Sequence, residues 1–203
     1  IETQPVLVRA KFPLDYLTNV ILKRAFDLLF SACILILICS WLFPIIAILI
    51  KLNSKGPVFF VQKRYGFHDE VFSCIKFRTM CVNGECTSQT TAENDKRITK
   101  IGKFLRKTSL DEMPQFLNVT KGDMSVVGPR PHMLLVDDFY KLKIGRYSVR
   151  SLVKPGVTGL AQVNGLRGDK GNMEIEMRKR ILADAFYVKN WTVVLDSVII
   201  FKT

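Results

Sequence analysis

LLFSACILILICSWLFPIIAILI, residues 28–50, runs 23 residues without a charged side chain. At about 1.5 Å per residue, a helix of that length reaches across a hydrocarbon core of about 30 Å. A cleaved secretion signal would end in small residues, whereas this run leads straight into the body of the chain. A core helix of a soluble domain does not need so long an uncharged stretch. Lys23 and Arg24 precede the run, and Lys51, Lys55, Lys63 and Arg64 follow it. Positive residues mark the cytoplasmic flank, and here both flanks carry them. Both can stay on one side if the helix breaks midway and turns back. Pro44 lacks a backbone donor and clashes with the preceding turn, and Ser40, next to Trp41, can donate to a carbonyl that a bend sets free. The expectation is a re-entrant helix–break–helix over residues 23–52, broken at Ser40, Trp41 and Pro44. A straight spanning helix kinked at Pro44 is the alternative.

Upstream, residues 1–22 contain Pro5 and Pro13 and no sustained period. They read as a linker from an upstream region, in keeping with a chain that starts at Ile and is a piece of a longer polypeptide. Downstream, Gly56-Pro57 closes the apolar run. PVFFVQ (57–62) and EVFSCIKF (70–77) then predict two strands of a hairpin turning through Gly66 and Asp69. Residues 81–95, rich in Asn, Thr, Ser and Glu, predict a mobile loop. From Lys96 to Lys107, basic residues at 96, 100, 103 and 107 share one helical face, and Ile98, Ile101 and Leu105 share another. Helices are also expected over 133–143 and 174–190, where Met177, Ile181, Ala185 and Val188 line one face. The terminal WTVVLDSVIIFKT is apolar enough to lie on a membrane interface or against the first segment. The fold class expected is α+β and mostly helical, with a small β-hairpin and the re-entrant N-terminal membrane helix; residues 53–203 form one cytosolic domain.

A formal net charge of +12 over 203 residues calls for an anionic partner. Nucleic acid, an anionic membrane surface and a nucleotide diphosphate all qualify. The five cysteines include no C-x-x-C pair, so neither a zinc site nor a disulfide scaffold is expected, and free thiols fit a reducing compartment.

The chemistry concentrates in RKTSLDEMPQFLNVTKGDMSVVGPRP, residues 106–131. Asp111 and Glu112 follow a dozen residues, 96–107, that hold six Lys or Arg and no acid. Ser109 and Glu112 have the Ser-x-x-Glu spacing of a capping box, and Pro114 is tolerable only near a helix start. That places both acids in a first helical turn, where the helix end and neighbouring cations favour an ionised Asp111 able to attack phosphorus. Glu112 can take a Mg²⁺ that neutralises a diphosphate. Arg106 lies upstream, and Gly128-Pro129-Arg130-Pro131 is a stiff mount for a bidentate guanidinium fork. Structurally, the same acids would serve as ordinary caps. No P-loop or G-x-G-x-x-G signature occurs. Asp137-Asp138 reads as a helix surface, and His68 and His132 are too isolated in sequence to be given a role.

KRAFDLLFS (23–31), GPVFFVQKRYG (56–66), KFRTM (76–80), the long run 97–131, VKPGVTGLAQVNGLRG (153–168) and YVKNWTVVLD (187–196) together resemble the bacterial monotopic phosphoglycosyl transferases. The likeness covers about residues 20–203 and is greatest to the catalytic domain of the longer, polyprenyl-phosphate glucose-phosphate transferase type. It implies transfer of a sugar-1-phosphate from a UDP-sugar to polyprenyl (undecaprenyl) phosphate, with release of UMP, as the first membrane step of exopolysaccharide, capsule or other surface glycan synthesis. It further implies that Asp111 is a nucleophile forming a phosphosugar-aspartyl intermediate and that Glu112 binds Mg²⁺. Lys76, Arg106 and Arg130 would line the phosphate site, and Gln162 and Arg167 would face the nucleotide sugar. By the same resemblance the enzyme sits in membrane lipid at the bacterial inner membrane, faces the cytosol and has room for a homodimer. Glucose is favoured over galactose or an acetamido sugar. The family usually has Ser-Pro at the helix break, whereas here Trp41 follows Ser40 and the proline comes three residues later.

Two other functions compete with this one. A non-catalytic basic module for a membrane surface or nucleic acid would interleave aromatics with its cations; residues 96–107 hold only Phe104, so no nucleic-acid partner is expected. A metal-dependent glycosyltransferase using Asp137-Asp138 would not need Asp111.

Overall fold

The apolar run lies within helix that extends from Leu17 to Asn53, in a computed structural model that describes residues 11–81, 95, 97–166 and 173–203. Its first part is α1 (Leu17–Ile34), its second α2 (Ser40–Asn53), and a π-helical turn over Leu35–Cys39 joins them. Helix therefore begins six residues ahead of the expected start at 23, preceded by a 3-10 turn at Pro13–Asp15. The expected interruption at Ser40–Pro44 is not seen: the backbone stays helical through Pro44. The wide turn just before it absorbs the mismatch, because two side chains serve carbonyls there. Ser40 Oγ donates to Ile36 O at 2.6 Å, and Trp41 Nε1 donates to Leu37 O at 2.9 Å.

Only 17% of the most apolar window of this helix is buried, which separates it from a core helix. One stripe faces protein: Lys23, Asp27, Ser31, Cys39, Ile46 and Ile50. The other faces expose Leu17, Ile21, Leu29, Ile36, Leu37, Ile48 and Leu52, as suits an apolar medium.

Both arms are fastened to the same body. At the α1 end the buried Lys23 ammonium donates to Asp27 Oδ1 (3.3 Å), Val127 O (3.1 Å) and Asp196 Oδ2 (2.6 Å). Asp27 also accepts from Ser125 Oγ and the Val126 N–H, each at 3.0 Å. Asp196 also accepts from the Tyr187 hydroxyl at 2.9 Å and the Trp191 indole at 3.1 Å. Each buried charge thus has both an opposite charge and hydrogen bonds, the condition under which such groups are tolerated. Arg24 donates to Val119 O and Thr120 O at 2.6 and 2.9 Å. At the α2 end Ile46 and Ile50 pack with Phe77 and Leu105. The terminal carbonyls of Ser54 and Lys55 accept from the Arg78 guanidinium.

The expected hairpin is present as β1 (Phe59–Tyr65) and β2 (Val71–Phe77), antiparallel with Phe60 opposite Lys76. α3 (Lys100–Lys107) is shorter than the expected helix over 96–107 and is capped by Thr99 Oγ1, which accepts the Gly102 N–H at 3.0 Å. α4 (Gln115–Lys121) follows the dyad turn and docks on the edge of β2 through Asn118. The Asn118 amide accepts from the Ile75 N–H at 3.0 Å and donates to Ser73 O at 2.8 Å, in the manner of a neighbouring strand.

A second sheet was not foreseen. β3 (Ser125–Val127) and β4 (Gly156–Thr158) pair in parallel, and three residues each is too short for a periodic signal. The approach is so close that a Cβ on Gly156 would lie 2.1 Å from the Gly128 nitrogen. α5 (Leu134–Lys143), α6 (Leu160–Val163), α7 (Met173–Asn190) and α8 (Val193–Phe201) complete the fold, with α5 and α7 where helices were expected. The expected loop over 81–95 falls almost wholly outside the described residues.

Candidate active site

A cavity of about 610 Å³ brings together Lys76, Arg106, Asp111, Glu112 and Arg130, five residues the sequence reading had singled out. The cations and the acid pair arrive on separate supports. Lys76 is carried by β2, and Arg106 closes α3. The acids occupy a 3-10 turn, Leu110–Glu112, between α3 and α4.

The expected capping box at Ser109 does not form. Ser109 sits in the left-handed region (φ 56°) and makes no side-chain cap, and Pro114, not Ser109, precedes α4. The reason is competition for Glu112. Its Oε1 accepts from Lys76 Nζ at 2.7 Å and Arg130 Nη2 at 2.6 Å, while its Oε2 accepts from Arg130 Nη1 at 2.8 Å. Burial works against its charge, but Arg130 and Lys76 outweigh that and hold Glu112 far below the ordinary carboxylate range.

Asp111 is treated differently by the same surroundings. No hydrogen bond reaches its carboxylate among the described residues. Burial, followed by the charge of Glu112, raises its pKa, and Lys76, Arg106 and Arg130 pull it back only in part. The readily ionised acid expected from a helix end is therefore corrected to one that gives up its proton reluctantly. A carboxylate that is partly desolvated, unbonded and faced by cations is a competent nucleophile toward an electrophilic phosphorus.

The cations are themselves fixed. Arg106 Nε donates to Thr79 Oγ1 at 2.8 Å. The Pro-Arg-Pro segment cannot donate from either proline, so it is gripped by its carbonyls. Pro129 O accepts from the Gly156 N–H at 2.9 Å, Arg130 O from Arg150 Nη2, and Pro131 O from Arg64 Nη1 at 3.3 Å. The fork expected for phosphate grips Glu112 in this state.

Arg64, His132, Arg150 and Asp184 also line the cavity, and sequence reasoning assigned none of them to it. Arg150 is the buried hub, paired with Asp184 Oδ2 at 3.2 Å and Asp137 Oδ1 at 3.4 Å. Burial lifts Asp184 to about 6 despite Arg150 and Arg180. Asp137 is not the helix surface it resembled in sequence: it is buried and accepts from the Tyr147 hydroxyl as well as Arg150. A Pro-His step following the arginine was the one available signal for His132; nothing in sequence links Arg150 to the dyad. Gln162 lies on the cavity wall, its Nε2 donating to Val157 O at 3.2 Å, while Arg167 lies outside the described residues. Among the described residues no group of three or more His, Cys, Asp or Glu gathers into a metal cluster.

The cavity adjoins the long helix. Phe59 and Phe77 line it, and both rings meet Phe43 of α2, with centroids at 6.4 and 5.0 Å.

Residues 18–203 match the family described as bacterial sugar transferase. A UDP-glucose:undecaprenyl-phosphate glucose-1-phosphate transferase of Klebsiella pneumoniae is 48% identical over 201 residues, covering 98% of this chain and 42% of the relative. A UDP-N-acetylgalactosamine-undecaprenyl-phosphate N-acetylgalactosaminephosphotransferase of Aeromonas hydrophila is 42% identical over 184 residues, 90% of this chain and 42% of its own length. An exopolysaccharide production protein of Rhizobium leguminosarum bv. phaseoli is 44% identical over 193 residues, 91% of this chain and 94% of its length. The chain thus spans about two fifths of the length of the first two relatives.

Proposed function

The chain belongs to the bacterial sugar transferase family, and on that premise we propose that it moves a hexose-1-phosphate from a UDP-sugar to undecaprenyl phosphate, releasing UMP. The product would start an exopolysaccharide or other surface glycan. The names of the relatives support this reaction, and the most similar of the three supports glucose as the sugar. The observation that carries the reading is the division between adjacent carboxylates, Glu112 clamped by two cations and Asp111 left unbonded beside them.

Asp111 attacks the phosphorus that bears the sugar. The bond to the bridging oxygen breaks, UMP leaves with the electron pair, and a phosphosugar-aspartyl ester remains. An oxygen of the lipid phosphate then attacks the same phosphorus and the carboxylate departs. Lys76, Arg106 and Arg130 hold the phosphate oxygens and offset the charge that builds on them. Mg²⁺ takes one or two carboxylates together with substrate phosphates and waters, and the Asp111–Glu112 pair offers donors of that kind. Glu112 would hold the ion, which when bound neutralises diphosphate charge.

In the membrane, the Leu17–Asn53 helix would bend at its π-helical turn, Leu35–Cys39, and so enter one leaflet and return, with the catalytic body in the cytosol under the inner membrane. Support comes from its two ends: Lys23 and Ile50 both bury themselves in one body, and a bilayer crossing would hold them about 30 Å apart on opposite sides.

Purified chain given UDP-glucose without acceptor should release UMP in a burst of about one equivalent, and Asp111→Asn should abolish both burst and turnover. Parental turnover in Asp111→Asn would refute the covalent route.

A further inference from the structure

One group in the cavity has no part in that reaction. His132 follows Pro131, and its ring stands on the cavity wall. Nδ1 lies 3.0 Å from the Tyr147 hydroxyl and within hydrogen-bond reach of Arg150 Nη1. A guanidinium can only donate, so Nδ1 is an acceptor and the ring proton belongs on Nε2. The Tyr147 proton is directed elsewhere, to Asp137 Oδ1. Nε2 has no protein partner among the described residues, nor is it among the sealed polar atoms. The side chain keeps 11% of its surface open. Nε2–H is therefore the part of the ring free to meet what fills the cavity.

We propose that His132 donates a hydrogen bond from Nε2–H to an uncharged oxygen of the nucleotide sugar, a hexose hydroxyl or a uracil carbonyl, with Arg150 fixing the tautomer. The proposal rests on the reading that this cavity takes a UDP-sugar. Lys76, Arg106 and Arg130 already supply charge for the phosphates, and a neutral N–H adds recognition without adding charge. The groups facing the ring are Tyr147, Asp137, Arg150 and Arg130. Burial, then Arg150, holds the imidazole down to about 3 against the pull of Asp137, so it remains neutral throughout ordinary working pH.

Two substitutions separate the two sides of the ring. His132→Asn keeps an acceptor for Arg150 where Nδ1 stood and loses the far N–H. His132→Gln keeps an N–H near the Nε2 position. With the full chain in nanodiscs, His132→Asn should bind UDP-glucose about ten-fold more weakly with little change in melting temperature, and His132→Gln should recover most of that loss. Parallel titration with UDP locates the oxygen. Weakening toward both ligands assigns it to the nucleotide, and weakening toward UDP-glucose alone assigns it to the hexose. Unchanged affinity of His132→Asn for both ligands would overturn the proposal. So would ¹⁵N spectra showing an Nδ1–H or cationic ring between pH 6 and 8. Binding and tautomer are read without turnover: a chain that binds UDP-glucose yet releases no UMP would defeat the proposed reaction and leave this inference standing.

Discussion

At the scale of single residues, the site works by giving two neighbouring acids opposite surroundings. Because burial and Glu112 raise the Asp111 pKa, the ionised form that the proposed attack requires is lost as pH falls through a value above that of an ordinary aspartate. The acid limb of kcat/KM should therefore lie higher than an unperturbed carboxylate would give and should move further up in Lys76→Met. The linkage has a second consequence. A carboxyl with a raised folded-state pKa costs the fold stability progressively as pH climbs from the unfolded-state value through the folded one, so Asp111→Asn should melt higher than the parent at neutral pH, an advantage that fades on acidification. Arg130→Lys keeps the charge and loses the two-pronged grip on Glu112; kcat/KM should fall about 100-fold, measured by UMP release. Sequence made the dyad, Arg106 and Arg130 legible because they lie in one compact, charge-patterned run, whereas Lys76, alone in an apolar strand, came only from the family resemblance. It did not disclose Arg64, Arg150 or Asp184, whose partners are set by the fold and not by spacing.

Among the elements, the clearest dependence is of α3 on the strand end beside it. A Cβ on Gly102 would stand 2.0 Å from the Thr79 carbonyl oxygen, and Thr79 is the residue that holds Arg106. Gly102→Ala should cost about 1–3 kcal/mol in denaturant unfolding and lower activity beyond that loss, through displaced Arg106. The one-sided spacing of Met177, Ile181, Ala185 and Val188 revealed α7, and two apolar runs flanking Gly66 and Asp69 revealed the hairpin. The β3–β4 pair escaped notice because its strands are only three residues long and almost wholly buried, so no alternation shows. The capping box misled because its spacing is satisfied by an acid that stronger partners claim. Pro44 misled in a similar way: a wider turn accommodates it, and helical backbone continues where a break was expected.

For the whole molecule, the fastening of both helix arms to one body is the governing fact. Lys23→Met would leave Asp27 and Asp196 buried without their cation and should cost about 3–5 kcal/mol, measured by chemical unfolding in detergent. Single cysteines placed at Lys11 and Lys55, with native thiols replaced, should react with an impermeant maleimide in inverted vesicles and not in right-side-out ones. Labelling from opposite sides would mean a crossing helix. Phe43 of α2 also touches two rings of the cavity wall, so on the proposed one-leaflet insertion the height of Asp111 above the lipid tails would be set by the protein's own joinery. The proposed enzyme would be a fixed-depth tool: its long-chain acceptor would have to raise its headgroup to a plane it cannot adjust, and turnover should track bilayer thickness even where the water-soluble donor binds unchanged.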